Sequence, residues 1–399
     1  MDWWCSSLEN LRMYLPPFAP DYSGVCSTLF ELNGIVVIHD AGGCTGNYTG
    51  YDEPRWYGSK SAIFCSKLRE MDAVLGLDND LIEKIKNTCT PETKFAAVLG
   101  SPVPMLIGSD MNGIAAELES QINIPCIGLD TNGFNLYNKG ISMAEKALAE
   151  IFVKDTNIKV QNGVNILGMT PIDFGLNENA NDLKEILKCW GYDIIASFSM
   201  GVTLDDIANA SKAKVNVVVS QGGMALAKIM ETKYKIPYVA GIPMGSIGAE
   251  FFKKAINNAI ENNKSFVFGK DDYKIQSNDL AGKRILFIGE QIQGNSWRGA
   301  YNKIYQYDNV QVGCIFGKDS SISAEYDLDI STEDDIMNLL NNEEYDIIIA
   351  DPLIKQLIPK EKLNNTKFIS LPHVAVSSKL YWDNIPLFVG DNMNKYLLD

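Results

Sequence analysis

Short runs of β-branched and aliphatic residues recur along this chain, and each gives way to a segment with helical spacing rather than to a second strand. Phe95 to Leu99, Ile124 to Leu129, Val164 to Leu167, Asp193 to Phe198, Val215 to Val219, Ile285 to Ile288 and Asp346 to Ala350 read as buried strands. Met111 to Ile122, Lys139 to Val153, Ala180 to Trp190, Gly223 to Tyr234 and Glu333 to Leu340 read as helices. No hairpin signal joins the strands, so they must run parallel with helices crossing between them. The fold class that follows is α/β: three doubly wound, Rossmann-like domains with parallel sheets. At 399 residues the chain is too long for one core. The pattern divides it at 1–156, 157–270 and 271–399. Residues 261–277, with Asn262-Asn263-Lys264 and Asp271-Asp272, read as a polar linker, and residues 1–21 as an aromatic arm around Trp3, Trp4 and Tyr14.

Within the first division, Tyr22 to Gly76 does not look like ordinary core. Cys26 lies just before Leu29 to Val37, which reads as an apolar element. Cys44 follows the run Ile35-Val36-Val37-Ile38 in a turn, His39-Asp40-Ala41-Gly42-Gly43-Cys44. A strand end fixes a thiol, and glycines let backbone N–H groups approach a sulfur closely, which suits a metal cluster. Two buried small hydrophobes are the other reading of the same cysteines. The segment Asn47 to Gly58 mixes Asp52 and Arg55 with three tyrosines and Trp56. It reads either as a loop packed around an ion pair or as the lining of a cluster or substrate site.

The order and spacing of these pieces resemble the nitrogenase component 1 superfamily. Cys26, His39 to Cys44, the segment Ser66-Lys-Leu68-Arg-Glu70-Met-Asp72-Ala-Val74-Leu-Gly76 and the segment Val103-Pro-Met-Leu106-Ile107-Gly108-Ser-Asp110 carry the likeness. The resemblance implies Cys26 and Cys44 as metal ligands. His39, Gly42 and Gly43 would surround the cluster. The third family ligand falls at Ser101-Pro102, so a cysteine is missing and Ser101 is the only oxygen in its place. Four ligands are needed for a [4Fe–4S] cluster, so the resemblance implies one shared between two subunits, in a homodimer or in a heterodimer with a homologous chain. The position of the family's cofactor cysteine falls near Ser220, which speaks against nitrogen fixation. Ser220 in its Gln-Gly-Gly turn is either a helix cap or a cavity residue. His373 is a candidate proton donor or a plain loop residue.

Gly289 to Ser296 imitates a phosphate loop, but Asn295 stands where the lysine belongs. No nucleotide is therefore expected on this chain, and the resemblance assigns ATP hydrolysis to a separate iron protein-like partner. The expected function is that of a nitrogenase-like reductase component acting on an unidentified small molecule, with His373, Ser220, Asp52 and Arg55 as candidate catalytic residues. Scaffolding of a metallocluster, or ligand binding without a cluster, are the alternatives. A net charge of −15 argues against nucleic acid and anionic membranes as partners. No apolar run approaches the ~20 residues of a membrane span, and no signal peptide is evident, so a cytoplasmic protein is expected. The eight scattered cysteines, Cys5 included, do not form a disulfide framework.

Overall fold

The computed structural model describes residues 12–58, 61–76, 78–270, 283–305 and 310–397. Their strands form three parallel sheets. The first contains β1 (Ile35–Ile38), β2 (Ile63–Cys65), β3 (Ala96–Leu99) and β4 (Cys126–Leu129), in the order β2-β1-β3-β4. The second contains β5 (Gly163–Leu167), β6 (Asp193–Ser197), β7 (Val215–Val218), β8 (Tyr238–Ala240) and β9 (Phe266–Val267), ordered β6-β5-β7-β8-β9. The third contains β10 (Ile285–Gly289), β11 (Val310–Cys314), β12 (Leu328–Asp329), β13 (Ile347–Ala350) and β14 (Lys367–Ser370), ordered β12-β11-β10-β13-β14. Strand order reverses direction between β5 and β7 and again between β10 and β13. The carboxyl ends of those pairs are where doubly wound sheets ordinarily open a crevice. The central strands β1, β3, β5, β7, β10 and β13 are buried at every residue, as expected of parallel strands covered on both faces.

Three local expectations are corrected. Cys26 precedes no single apolar element. It sits inside a helix, Asp21–Leu29, and the chain then turns at Asn33, with φ +57°, before β1 begins. The polar composition of 261–277 conceals ordered structure: the helix Ser246–Asn262 runs into it, and β9 then adds a fifth strand beside β8. The rest of that segment, from 271, lies outside the described residues. The loop-like Gly289 to Ser296 becomes the start of a helix, Gln291–Tyr305, whose Trp297 and Arg298 are among the largest fully buried side chains.

The aromatic arm, described from Arg12, packs on its own chain. The Glu333 carboxylate accepts N–H bonds from Met13, Tyr14 and Leu15 at 2.9, 3.0 and 2.7 Å. Trp3, Trp4 and Cys5 lie outside the described residues. Among those described, no helix is long and apolar enough to cross a membrane.

The helix Asp21–Leu29 meets the helix Tyr137–Phe152 at glycines on both sides. A Cβ on Gly24 would lie 2.0 Å from the Tyr137 carbonyl oxygen, and one on Gly140 would lie 1.8 Å from that of Asp21. Backbone rather than a flexible side chain blocks the space, so nothing nearby yields. Gly24→Ala or Gly140→Ala should each destabilise the fold by about 3 kcal/mol or more, read as a lowered midpoint in chemical denaturation.

Candidate functional site

Two places collect the residues singled out above. At the first, β1 is followed by His39, whose N–H donates to Leu99 O at 2.8 Å. The chain then passes through Gly42, at φ +132°, into the short helix Gly43–Asn47, which carries Cys44 in its first turn. Ser101 donates to the His39 carbonyl at 2.8 Å, and His39 Nδ1 lies 2.9 Å from Ser66 Oγ. Asp40 Oδ2 accepts from the Gly42 N–H at 2.8 Å and the Thr45 N–H at 3.2 Å. The turn therefore already holds a carboxylate where a glycine-rich turn holds an anion. Cys44 is half-buried against Tyr22, Asp40 and Ser101. Burial, then the Asp40 charge, push its thiol up to about 11. A Cβ built on Gly42, Gly43 or Gly46 would meet nothing within 4 Å, so the outer side of the turn is open.

The surroundings of this turn are apolar and exposed. The helix Glu70–Leu75, which follows β2, buries none of its residues and exposes Met71, Val74 and Leu75. The helix Pro102–Ile107, which follows β3, exposes Val103, Leu106 and Ile107. Both stand at the carboxyl end of the first sheet, as the Cys44 turn does.

Cys26, Asp52 and Arg55 belong to a buried network behind the turn. Cys26 is 0% exposed and shares a hydrophobic cluster with Tyr48. Burial, then the nearby Glu53, raise its thiol far above the ordinary range. The ion pair of this segment is Arg55 with Glu53, at 2.8 Å, rather than with Asp52. Arg55 also reaches Glu31 at 3.1 Å and the Ser27 carbonyl at 2.7 Å, with its guanidinium 4.4 Å from the Phe30 ring centre. Asp52 accepts from Ser23 Oγ at 2.7 Å and Asn47 Nδ2 at 3.2 Å, and burial pushes its carboxyl up to about 7.

A four-iron cluster tests these donors. Cys44 fits: its thiol stands at an open turn on an exposed apolar face. Cys26 does not fit as placed, because the core encloses it. Among the described residues no group of three or more His, Cys, Asp and Glu side chains gathers to hold a metal ion. Of the two expected ligands one, Cys44, is thus an accessible thiol, and this pair falls short of the four that a cluster needs.

The second place lies where segments of all three sheets meet, and His373 and Ser220 both reach it. His373 follows β14. Its Nδ1 accepts from the Ala375 N–H at 3.2 Å, which leaves the proton of the neutral ring on Nε2. Nε2 faces Asp173 Oδ1 at 3.3 Å, an approach without the direction of a hydrogen bond. The same oxygen accepts from the Tyr137 hydroxyl at 2.5 Å. Phe316 packs against both rings, at 5.1 Å from Tyr137 and 4.9 Å from His373.

Glu290, after β10, accepts from the Gln221 and Gln293 N–H groups at 2.7 Å each. Burial, then Asp173, raise its carboxyl. Glu145, on the helix Tyr137–Phe152, accepts from the Gly168 N–H at 2.7 Å, and burial pushes it up to about 8. Ser220 Oγ donates to the Gly168 carbonyl at 2.6 Å.

Sequence reasoning missed Tyr137, Asp173, Glu145 and Glu290. Glu290 and Asp173 each follow a strand at a switch point, β10 and β5, and that position was the available signal.

Two measurements test these placements. Iodoacetamide should label Cys44 in the folded chain, at a rate rising about tenfold per pH unit up to its high pKa. Cys26 should be labelled only on unfolding, as peptide mass spectrometry will read. For Asp52, the folded pKa lies above the unfolded value of about 4, so the native state holds the extra proton between them. Its contribution to stability is complete below pH ~4 and declines as pH rises towards 7. Asp52→Asn should therefore flatten the fall in melting temperature across that window.

A family profile described as "Nitrogenase component 1 type Oxidoreductase" matches residues 21–284. The nitrogenase iron-molybdenum cofactor biosynthesis protein NifE of Clostridium pasteurianum is 28% identical over 276 residues, covering 64% of this chain and 58% of that protein. The nitrogenase molybdenum-iron protein alpha chain of Clostridium pasteurianum is 26% identical, covering 44% of this chain and 33% of its own length. A light-independent protochlorophyllide reductase subunit of Prosthecochloris aestuarii is 35% identical over 86 residues, covering 21% of this chain and 16% of that protein. The chain thus spans less than two thirds of the length of the curated relatives it matches. A solved structure titled "Nitrogenase Cp1 at pH 5" superposes with a TM-score of 0.66 at 17% identity, covering 97% of this chain and 90% of that one, a likeness of fold. On the profile match, with the three parallel sheets and the turn that carries Cys44, the chain belongs to the nitrogenase component 1 type oxidoreductase family.

Proposed function

We propose that this chain is the electron-accepting subunit of a nitrogenase-like reductase, with Cys44 as its ligand to an iron–sulfur cluster held against a partner subunit. The observation that carries this reading is the half-buried Cys44 thiol on an open glycine turn, at the carboxyl end of a sheet whose neighbouring helices expose apolar side chains. One-electron transfer is the chemistry such a cluster supplies when bound. This chain's part is to hold the turn: Ser101 and Ser66 fix His39, and Asp40 fixes the amides beside Cys44.

A [4Fe–4S] cluster would take its other ligands from a homologous subunit. A homodimer would have to release Cys26 from the core. Electrons would come from an ATP-hydrolysing iron protein-like partner in the cytoplasm, to a small-molecule substrate. In this reading the chain works as three units, 1–156, 157–270 and 271–399, with His373 and Ser220 where they meet.

A second reading, a scaffold on which a metallocluster is assembled, is favoured by the same meeting point. Tyr137, Phe316 and His373 are buried there and fill it, while the Cys44 turn faces outward, where cargo can be received and released.

Anaerobic purification of the chain, alone and co-expressed with its genomic neighbours, with iron and sulfide counts, tests both readings. Cys44→Ala should abolish bound iron, and Cys26→Ala should retain it while lowering stability. Iron that survives turnover with reductant supports the reductase, and iron released to an apo-acceptor supports the scaffold. A colourless, iron-free assembly would overturn both.

A further inference from the structure

We propose that residues 378–384 are a lid over the buried Asp173–His373 contact, and that the lid opens locally, without unfolding of the sheets, to let water reach that contact. His373 is the N-cap of the short helix Val374–Ser377, which packs against the turn Pro171–Phe174 that carries Asp173. The chain meets the far side of the same turn again at Ile385. A Cβ on Gly175 would lie 2.9 Å from Ile385 Cδ1, and Asn177 Nδ2 donates to the Ile385 carbonyl at 3.0 Å. The stretch between is therefore anchored at both ends beside Asp173.

Inside those anchors the fit is poor. Ser378 has φ +51° and ψ −136°, close to the first central position of a type II′ turn, which favours glycine. Tyr381 leaves helical geometry at φ −130°. No residue from Ser378 to Asn384 is fully buried, and Leu380 is 65% exposed. The middle of the stretch leans on the first unit through Lys379, whose Nζ lies 4.9 Å from the ring centre of Tyr51, itself 48% exposed. An exposed contact of this kind is weak. Little burial thus opposes opening, and the strain at Ser378 favours it by about tenfold.

The inner end is built otherwise. Asp351 Oδ2 accepts from the His373 N–H at 2.9 Å, and the Ala375 carbonyl accepts from the Ala19 N–H at 2.9 Å. These bonds keep the imidazole in place while the lid lifts Ile385 away from the Asp173 turn. A buried acid and imidazole exchange protons with solvent only when water arrives, so the lid sets how often that happens. This holds whatever Cys44 binds.

The probe is diethyl pyrocarbonate applied to the full chain, with peptide mass spectrometry. The chain has two histidines, so His39 serves as the internal reference. His373 should be modified at least about a hundredfold faster than global unfolding allows, the latter read from hydrogen exchange of the β13 amides. Ser378→Gly should slow that modification roughly fivefold, because the relief of strain outweighs the greater freedom of glycine in the open lid. Ser378→Ala keeps the strain and should leave the rate within about twofold. Neither variant should change the rate at His39. Tyr51→Ala should speed modification of His373 about twofold to threefold. Modification of His373 only at the rate of global unfolding would overturn the lid. So would a rate that Ser378→Gly leaves unchanged or raises.

Discussion

One carboxylate, Asp173, holds together three distant stretches of this chain. It follows β5, receives the hydroxyl of Tyr137 from the helix beyond the first sheet, and faces the imidazole of His373 from beyond the third. A buried carboxylate with no partners would be strongly disfavoured, so each of these contacts secures the others. Phe316 seals the group from water by packing on both rings. Removing any one partner would leave a polar atom in a dry junction, where the penalty is largest. The relative placement of the sheets thus rests on a polar contact of a few atoms rather than on apolar area alone.

The Cys44 turn works in the opposite way. Its glycines leave one side open, and its polar groups face inward: Asp40 takes the amides, and Ser101 and Ser66 hold the ends of the His39 residue. With Asp40 so near, the neutral thiol is favoured until a positive charge arrives. A cation that binds Cys44 would displace its proton and gain from the Asp40 charge already in place. Behind it, the Arg55–Glu53–Glu31 network ties the aromatic segment to the helix Asp21–Leu29 and shuts Cys26 in the core.

The parallel, doubly wound sheets were legible because β-branched runs alternate with helical spacing throughout, and Met111 to Ile122 was legible to the residue. Position within an element was less so. Cys26 shares its flanking composition with a loop, and only the burial of every residue of the helix Asp21–Leu29 reveals it as core. Asp52 beside Arg55 suggested a pair, yet Glu53, one residue away, took the guanidinium. Which carboxylate wins depends on backbone direction, which no spacing rule supplies. The Gly289 to Ser296 stretch hid a helix because Gly294, Asn295 and Ser296 have weak helical propensity. Burial of Trp297 and Arg298 overrides that preference. Asp173 and Tyr137 are 36 residues apart, and nothing local announces that they meet.

The two turns at the switch point of the second sheet carry borrowed carboxylates. The Gly168 amide binds Glu145 from the preceding segment, and the Gln221 amide binds Glu290 from the following one. In an open sheet of this kind those amides would face a bound ligand. Here the molecule supplies its own occupants, one from each side. The middle sheet cannot complete its turns until chain made before it and chain made after it have both arrived. A ribosome-bound chain that has emerged only as far as β9 would hold its second sheet with one turn still unsatisfied.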